Sequence, residues 1–169
     1  KETARQLLQH GATVHIVSKE QSSVDNATQE LKAFGSVIGH KINIANMSDV
    51  NNLVSTINGK ISKVDYLVNA SGIFGPKPFL DHTLEDYNSY LDINRGFFFI
   101  TQAVAKRMKA NGGGAIVNDG SMWAKQAIKA TPSSAYSMHK AGIHSLTQHL
   151  GMELADANIR VNAVSISFV

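Results

Sequence analysis

Short β-rich apolar runs alternate with helix-patterned stretches from one end of the chain to the other. Segments 13–18, 37–43, 65–71, 115–121 and 160–165 read as strands. Several are almost continuously apolar, as strands covered on both faces are. Between them, segments 1–9, 23–34, 48–57, 84–110 and 134–155 carry helical patterning. In the fourth of these, Tyr87, Leu91, Asn94 and Phe98 recur at helical spacing; in the fifth, Ile143, Leu146, Leu150 and Leu154 do. Gly11 and Gly35 sit just past helical stretches, where a left-handed residue closes the last turn. Ser22 with Asp25 and Thr83 with Asp86 have capping-box spacing, with Asp in place of Glu. Regular strand–helix alternation predicts parallel strands joined by right-handed crossovers, a doubly wound α/β sheet in a single domain over 1–169.

Composition narrows the class without naming it. Apolar residues make up 43% and charged residues 17%, ordinary for a soluble globular protein. No apolar run approaches the roughly 20 residues a membrane span needs, so no membrane partner is expected. The polar opening over 1–9 does not resemble a secretory signal. Cysteine is absent, which removes disulfides and thiolate metal sites and suits a cytoplasmic location. The net charge is +3 and the 16 basic residues are scattered, so a nucleic-acid surface is not expected.

Candidate chemistry centres on Tyr136-Ser137-Met138-His139-Lys140, which puts a phenol and an ammonium on one helix face, about one turn apart. A neighbouring ammonium favours a phenolate, so the tyrosine is suited to proton transfer. Such a pair also arises on solvated helix surfaces, and context decides. Upstream, a buried-type strand over 116–121 ends in the hydroxyl of Ser121. Another apolar strand runs into small residues at Val68-Asn69-Ala70-Ser71-Gly72. Asn94 stands in the middle of a long helix, where a polar residue on an inward face calls for a reason.

Together, and in this order, these segments resemble the short-chain dehydrogenase/reductase family over nearly the whole chain. The resemblance implies a Rossmann-like sheet and an enzyme interconverting a ketone and a secondary alcohol by hydride transfer. Ser121 then hydrogen-bonds the substrate oxygen, and Tyr136 is general acid in reduction and general base in oxidation. Lys140 supports the tyrosine and holds the nicotinamide ribose; Asn94 distorts its helix and positions a water in the proton relay. The segment from Val68 through Asn69, Ala70 and Ser71 to Gly72 stabilises the central sheet and lines the cofactor, with Asn43 and Ile44 against its adenine. At the end of the first strand, Ser18 and Lys19 stand where NAD enzymes carry an acid, which favours NADP(H) over NAD(H), although Glu20 is close by. The resemblance further implies a homodimer or homotetramer through helices 84–110 and 134–155. A 3-oxoacyl thioester or another small ketone is the expected substrate, and no metal is required.

Some features depart from the family. Its glycine-rich pyrophosphate loop has no counterpart, since 1–12 matches the helix that follows it. The expected Pro-Gly after Ser165 is replaced by Ile166-Ser167-Phe168-Val169, which resembles a later core strand. The expectation is therefore a domain incomplete at both ends, lacking the first strand, the glycine loop and the substrate lid. A metal reading of His139, His144 and His149 fails because a spacing of five puts them about 140° apart around a helix. A serine hydrolase reading fails because Asp119-Gly120-Ser121-Met122-Trp123 lacks the Gly-x-Ser-x-Gly elbow. The competing class is a non-catalytic nucleotide-sensing or scaffold protein with the same fold.

Overall fold

All the expected strands form, with ends displaced by no more than two residues, in a computed structural model that describes residues 1–166. The order is α1 (Glu2–Gln9), β1 (Val14–Ser18), α2 (Gln21–Leu31), β2 (Val37–Lys41), α3 (Met47–Lys60), β3 (Tyr66–Asn69), α4 (Leu84–Ala110), β4 (Gly114–Asp119), α5 (Ser134–Glu153) and β5 (Ile159–Val164). Every pairing is parallel. Among the described residues the strands fall into two ladders, β1–β2 and β3–β4–β5, and no ladder joins β1 to β3. Of the strand-like tail expected over 166–169, only Ile166 is among the described residues, and 167–169 lie outside them. No helix among the described residues is long and apolar enough to cross a membrane.

The main core lies where α3 and α4 meet and cover the three-stranded ladder. Val50, Leu53 and Ile57 of α3 and Ile100, Val104 and Met108 of α4 pack with Ile116 of β4 and Ile159 and Val161 of β5. Each of these larger side chains contributes about 1.5–3 kcal/mol by leaving water. Gly96 allows α4 a close approach to the loop after β2, because a Cβ there would stand 1.9 Å from the Ile44 carbonyl oxygen. That contact sets 43–45 against the middle of α4.

Two expectations are corrected. The capping box at Thr83 and Asp86 forms, with both reciprocal bonds present. Ser22 caps nothing: α2 starts two residues earlier than expected, Glu20 is its N-cap, and Asp25 accepts from the Gln21 side-chain amide instead. In α4 the buried stripe is Tyr90, Ile93, Phe97, Ile100, Val104 and Met108, whereas Tyr87, Leu91 and Phe98 are exposed. This helix is apolar around much of its circumference, so two stripes of equal period exist and spacing alone does not choose between them.

Candidate active site

The carboxyl ends of β1, β2 and β3 open into one cleft of about 940 Å³, within the range of small-molecule and cofactor pockets. Ser18 and Lys19 line it from β1, Asn43 and Ile44 from the loop after β2, and Ala70, Ser71 and Gly72 from the loop after β3. The first turns of α4 close it with Glu85, Asn88, Ser89 and Asp92. Seven of the eight residues expected at a cofactor by their place in these loops therefore share one cavity wall. Asn69 does not. Its amide donates to Thr101 and to Asn118, its register partner on β4, both at 3.0 Å.

Those bonds belong to a buried chain whose other members, Thr101, Asn118 and Thr147, sequence reasoning missed. The Asn118 amide donates to Thr147 at 2.9 Å, and Thr147 donates to the Ile143 carbonyl. Asn118, Thr101 and Thr147 are all buried. β3, α4, β4 and α5 are thereby joined directly behind the cleft. The signal was a lone Asn inside the apolar run of β4, since a polar group is retained in a core only when its bonds are made.

In front of that chain lie the residues expected to do chemistry. Lys140 is 2% exposed, and its Nζ donates to the Asp119 carbonyl at 2.7 Å with the Asp119 carboxylate at 3.5 Å. The same Nζ lies 5.9 Å from the centroid of the Tyr136 ring and would be 3.7 Å from a Cβ at Gly72. One buried cation thus adjoins the expected phenol on one side and the cleft wall on the other. Asp119 is the counter-ion that makes its burial tolerable; nothing in the spacing pointed to it.

Tyr136 is half-buried at the start of α5 and edge-on to the rings of Phe74 (4.9 Å) and Tyr90 (6.2 Å). Tyr90 also ties down the loop that carries Phe74. Its hydroxyl accepts from the Gly75 amide at 3.1 Å and donates to the Gly75 carbonyl at 3.2 Å. Lys77 completes the fastening, its amide bonded to the Pro132 carbonyl and its ammonium paired with Asp86 at 2.5 Å. That ammonium and the Thr83 cap hold the Asp86 carboxyl well below the usual carboxylate range.

Ser121 is 3% exposed, just beyond β4, and its Oγ accepts from the Trp123 amide at 3.2 Å. No hydrogen bond joins Ser121 to Tyr136 among the described residues. They are related through Lys140, which bridges α5 to the end of β4 at Asp119. Asn94 is half-buried and faces α5, its Nδ2 3.9 Å from where a Gly142 Cβ would stand. α4 passes through Asn94 as α-helix, without the break implied by the resemblance. Trp123 is buried, and the segment toward Pro132 is largely exposed.

His139 was expected to pack or lie at the surface, and it packs: it is 2% exposed beside Tyr90 and Tyr136. Among the described residues, neither ring nitrogen has a hydrogen-bond partner. Burial, with a smaller contribution from the Lys140 charge, pushes its pKa down to about 4, so the ring is neutral at pH 7.

Comparison with known proteins gives the family. A model of the short chain dehydrogenase family matches residues 1–169. The 3-oxoacyl-[acyl-carrier-protein] reductase of Synechocystis is 36% identical over 174 residues, covering 100% of this chain and 69% of the relative. The 3alpha-hydroxysteroid dehydrogenase of Mediterraneibacter gnavus is 32% identical over 166 residues, covering 95% of this chain and 65% of the relative. Among solved structures, the acetoin dehydrogenase of Enterobacter cloacae superposes with a TM-score of 0.87 at 26% identity, covering 96% of this chain and 66% of that one. With a parallel, Rossmann-like α/β architecture and a match along its whole length, this chain belongs to the short-chain dehydrogenase family.

Proposed function

We propose that this protein is an NADP(H)-dependent oxidoreductase that interconverts a ketone and a secondary alcohol, with Tyr136 as the proton-transferring group. The observation that carries the reading is the fixed Lys140 cation, buried between the Tyr136 ring and the Gly72 wall of the cleft. A bound nicotinamide cofactor supplies or accepts the hydride. The residues lining the cleft fit such a group: small side chains at 70–72 give room beside Lys140, and Ser18 and Lys19 stand at the end of β1. Lys19 is exposed and only loosely paired with Glu20, at 3.9 Å, which leaves its ammonium able to meet a 2′-phosphate.

In reduction, Tyr136 gives its proton to the carbonyl oxygen as that oxygen gains charge; in oxidation it takes the proton back. Ser121 steadies the same oxygen. Its hydroxyl proton is not used by the Trp123 bond, which engages Oγ as acceptor. Lys140 holds its ammonium beside the Tyr136 ring. Asn94, half-buried and facing α5 at Gly142, is the residue this reading assigns to the proton relay.

The related reductase and hydroxysteroid dehydrogenase support a ketone substrate, with a 3-oxoacyl thioester and a steroid ketone as the first to try. A homodimer or homotetramer through α4 and α5 is supported by the exposure of Leu91, Phe98 and Phe99 on α4 and of Met138 and Met152 on α5. The cysteine-free sequence accommodates a cytoplasmic setting. The test is consumption of NADPH and of NADH by the full-length protein over a panel of such ketones. Turnover with a higher kcat/KM for NADPH is expected. A higher value for NADH would overturn the cofactor assignment, and binding of neither would favour a scaffold.

A further inference from the structure

The backbone just beyond β4 is bonded at alternate residues to the end of β5 and the residues past it: the Gly120 amide donates to the Val164 carbonyl at 2.8 Å and the Met122 amide to the Ile166 carbonyl at 3.2 Å. The Ser121 amide, between them, points to the other side, as alternate amides in a parallel ladder do. Among the described residues it meets no strand there, because β3 pairs with β4 only as far as Asn118. It donates instead to His144, whose Nε2 lies 3.4 Å away. The ring is seated tightly. A Cβ at Gly120 would come within 2.6 Å of both His144 Cε1 and Nε2, so glycine makes room for the imidazole. The same Nε2 is 3.2 Å from the hydroxyl of Ser165, just past the end of β5.

These contacts define the state of the ring. A backbone amide only donates, so Nε2 must offer a lone pair, and the proton of a neutral ring is on Nδ1. Nε2 then has nothing to give Ser165, and that hydroxyl must donate as well. One lone pair is shared by two donors, in keeping with the length of both bonds. His144 sits on α5 one turn after Lys140, so the helix that carries the cation also holds the serine.

The geometry points to His144 as a positioning residue: as the Nδ1–H tautomer it fixes the Ser121 backbone and the Ser165 hydroxyl at the mouth of the site. This rests on the reading of Ser121 as a donor to the substrate oxygen. The test pairs two variants with one spectrum. His144→Phe keeps a ring in the seat but removes the acceptor. His144→Gln can place Oε1 near where Nε2 was. In the full-length protein, His144→Phe should lower kcat about 10- to 100-fold, the scale on which misplacement of a catalytic group acts. Its KM for the nicotinamide cofactor should stay unchanged, and His144→Gln should recover most of kcat. Long-range 1H–15N NMR of the unmodified protein should show His144 protonated on Nδ1, whether or not the variants fold.

A ring protonated on Nε2, or a His144→Phe enzyme with unchanged kcat, would overturn the proposal. Full turnover by Tyr136→Phe would instead bring down the reading of the site, leaving the tautomer of His144 as a separate fact.

Discussion

Lys140 is withdrawn from water to a degree unusual for lysine, and its two oxygen partners on Asp119 are what make that possible. Around the same position, Tyr90 does for the loop after β3 what Asp119 does for the cation: it holds it in one place. Replacing Tyr90 with Phe keeps the ring that packs on Tyr136 but removes both bonds to Gly75. The loss should be about 1–2 kcal/mol. It should be visible as faster hydrogen exchange at the Gly75 amide, and exchange at the wild-type rate would show that the clamp does no holding. At this scale, residues with a fixed spacing were legible in the sequence: Tyr136 and Lys140 one turn apart, and Ser121 at a strand end. Asp119, Tyr90 and His144 were not, because their roles arise from contacts between distant segments that no local pattern encodes.

Elements were read more completely than the faces they present. Strand and helix positions follow from turn chemistry and apolar runs, and the Thr83 cap that starts α4 was readable from two residues. The inward face of α4 was not, because the helix meets α3, α5 and the sheet together and its apolar stripes compete. What locks the elements that carry the site is the polar chain through Asn69, Thr101, Asn118 and Thr147. Asn118→Ala would strand the Asn69 amide and the Thr147 hydroxyl without one partner each. The expected cost is about 2–3 kcal/mol of unfolding free energy, read from urea melts. A change below about 0.5 kcal/mol would mean that the chain is not coupled to stability.

For the molecule as a whole, acid is the condition to examine. His139 is held at about 4 in the folded state, below the ordinary histidine value of about 6.5 in the unfolded chain. The unfolded chain therefore takes up the proton first. The contribution is intact above about pH 6.5 and declines as pH falls toward 4, by about 2–3 kcal/mol from this residue. His15 and His40, whose pKa values burial also lowers, add in the same direction. Urea melts at pH 7.5 and pH 5 should show that loss, and His139→Leu should flatten it; an equally steep loss in the variant would remove His139 as the cause. The parallel α/β architecture was legible throughout, whereas the division of the described strands into two ladders was not part of the expectation. The measurement that bears most directly on the whole account is kcat for NADPH-driven ketone reduction by the full-length protein and its Tyr136→Phe variant, with NADPH affinity measured alongside. A fall of at least about 100-fold in kcat at unchanged affinity is expected when the general acid is lost. Equal rates in the two proteins would contradict the claim that the phenol of Tyr136 carries the proton.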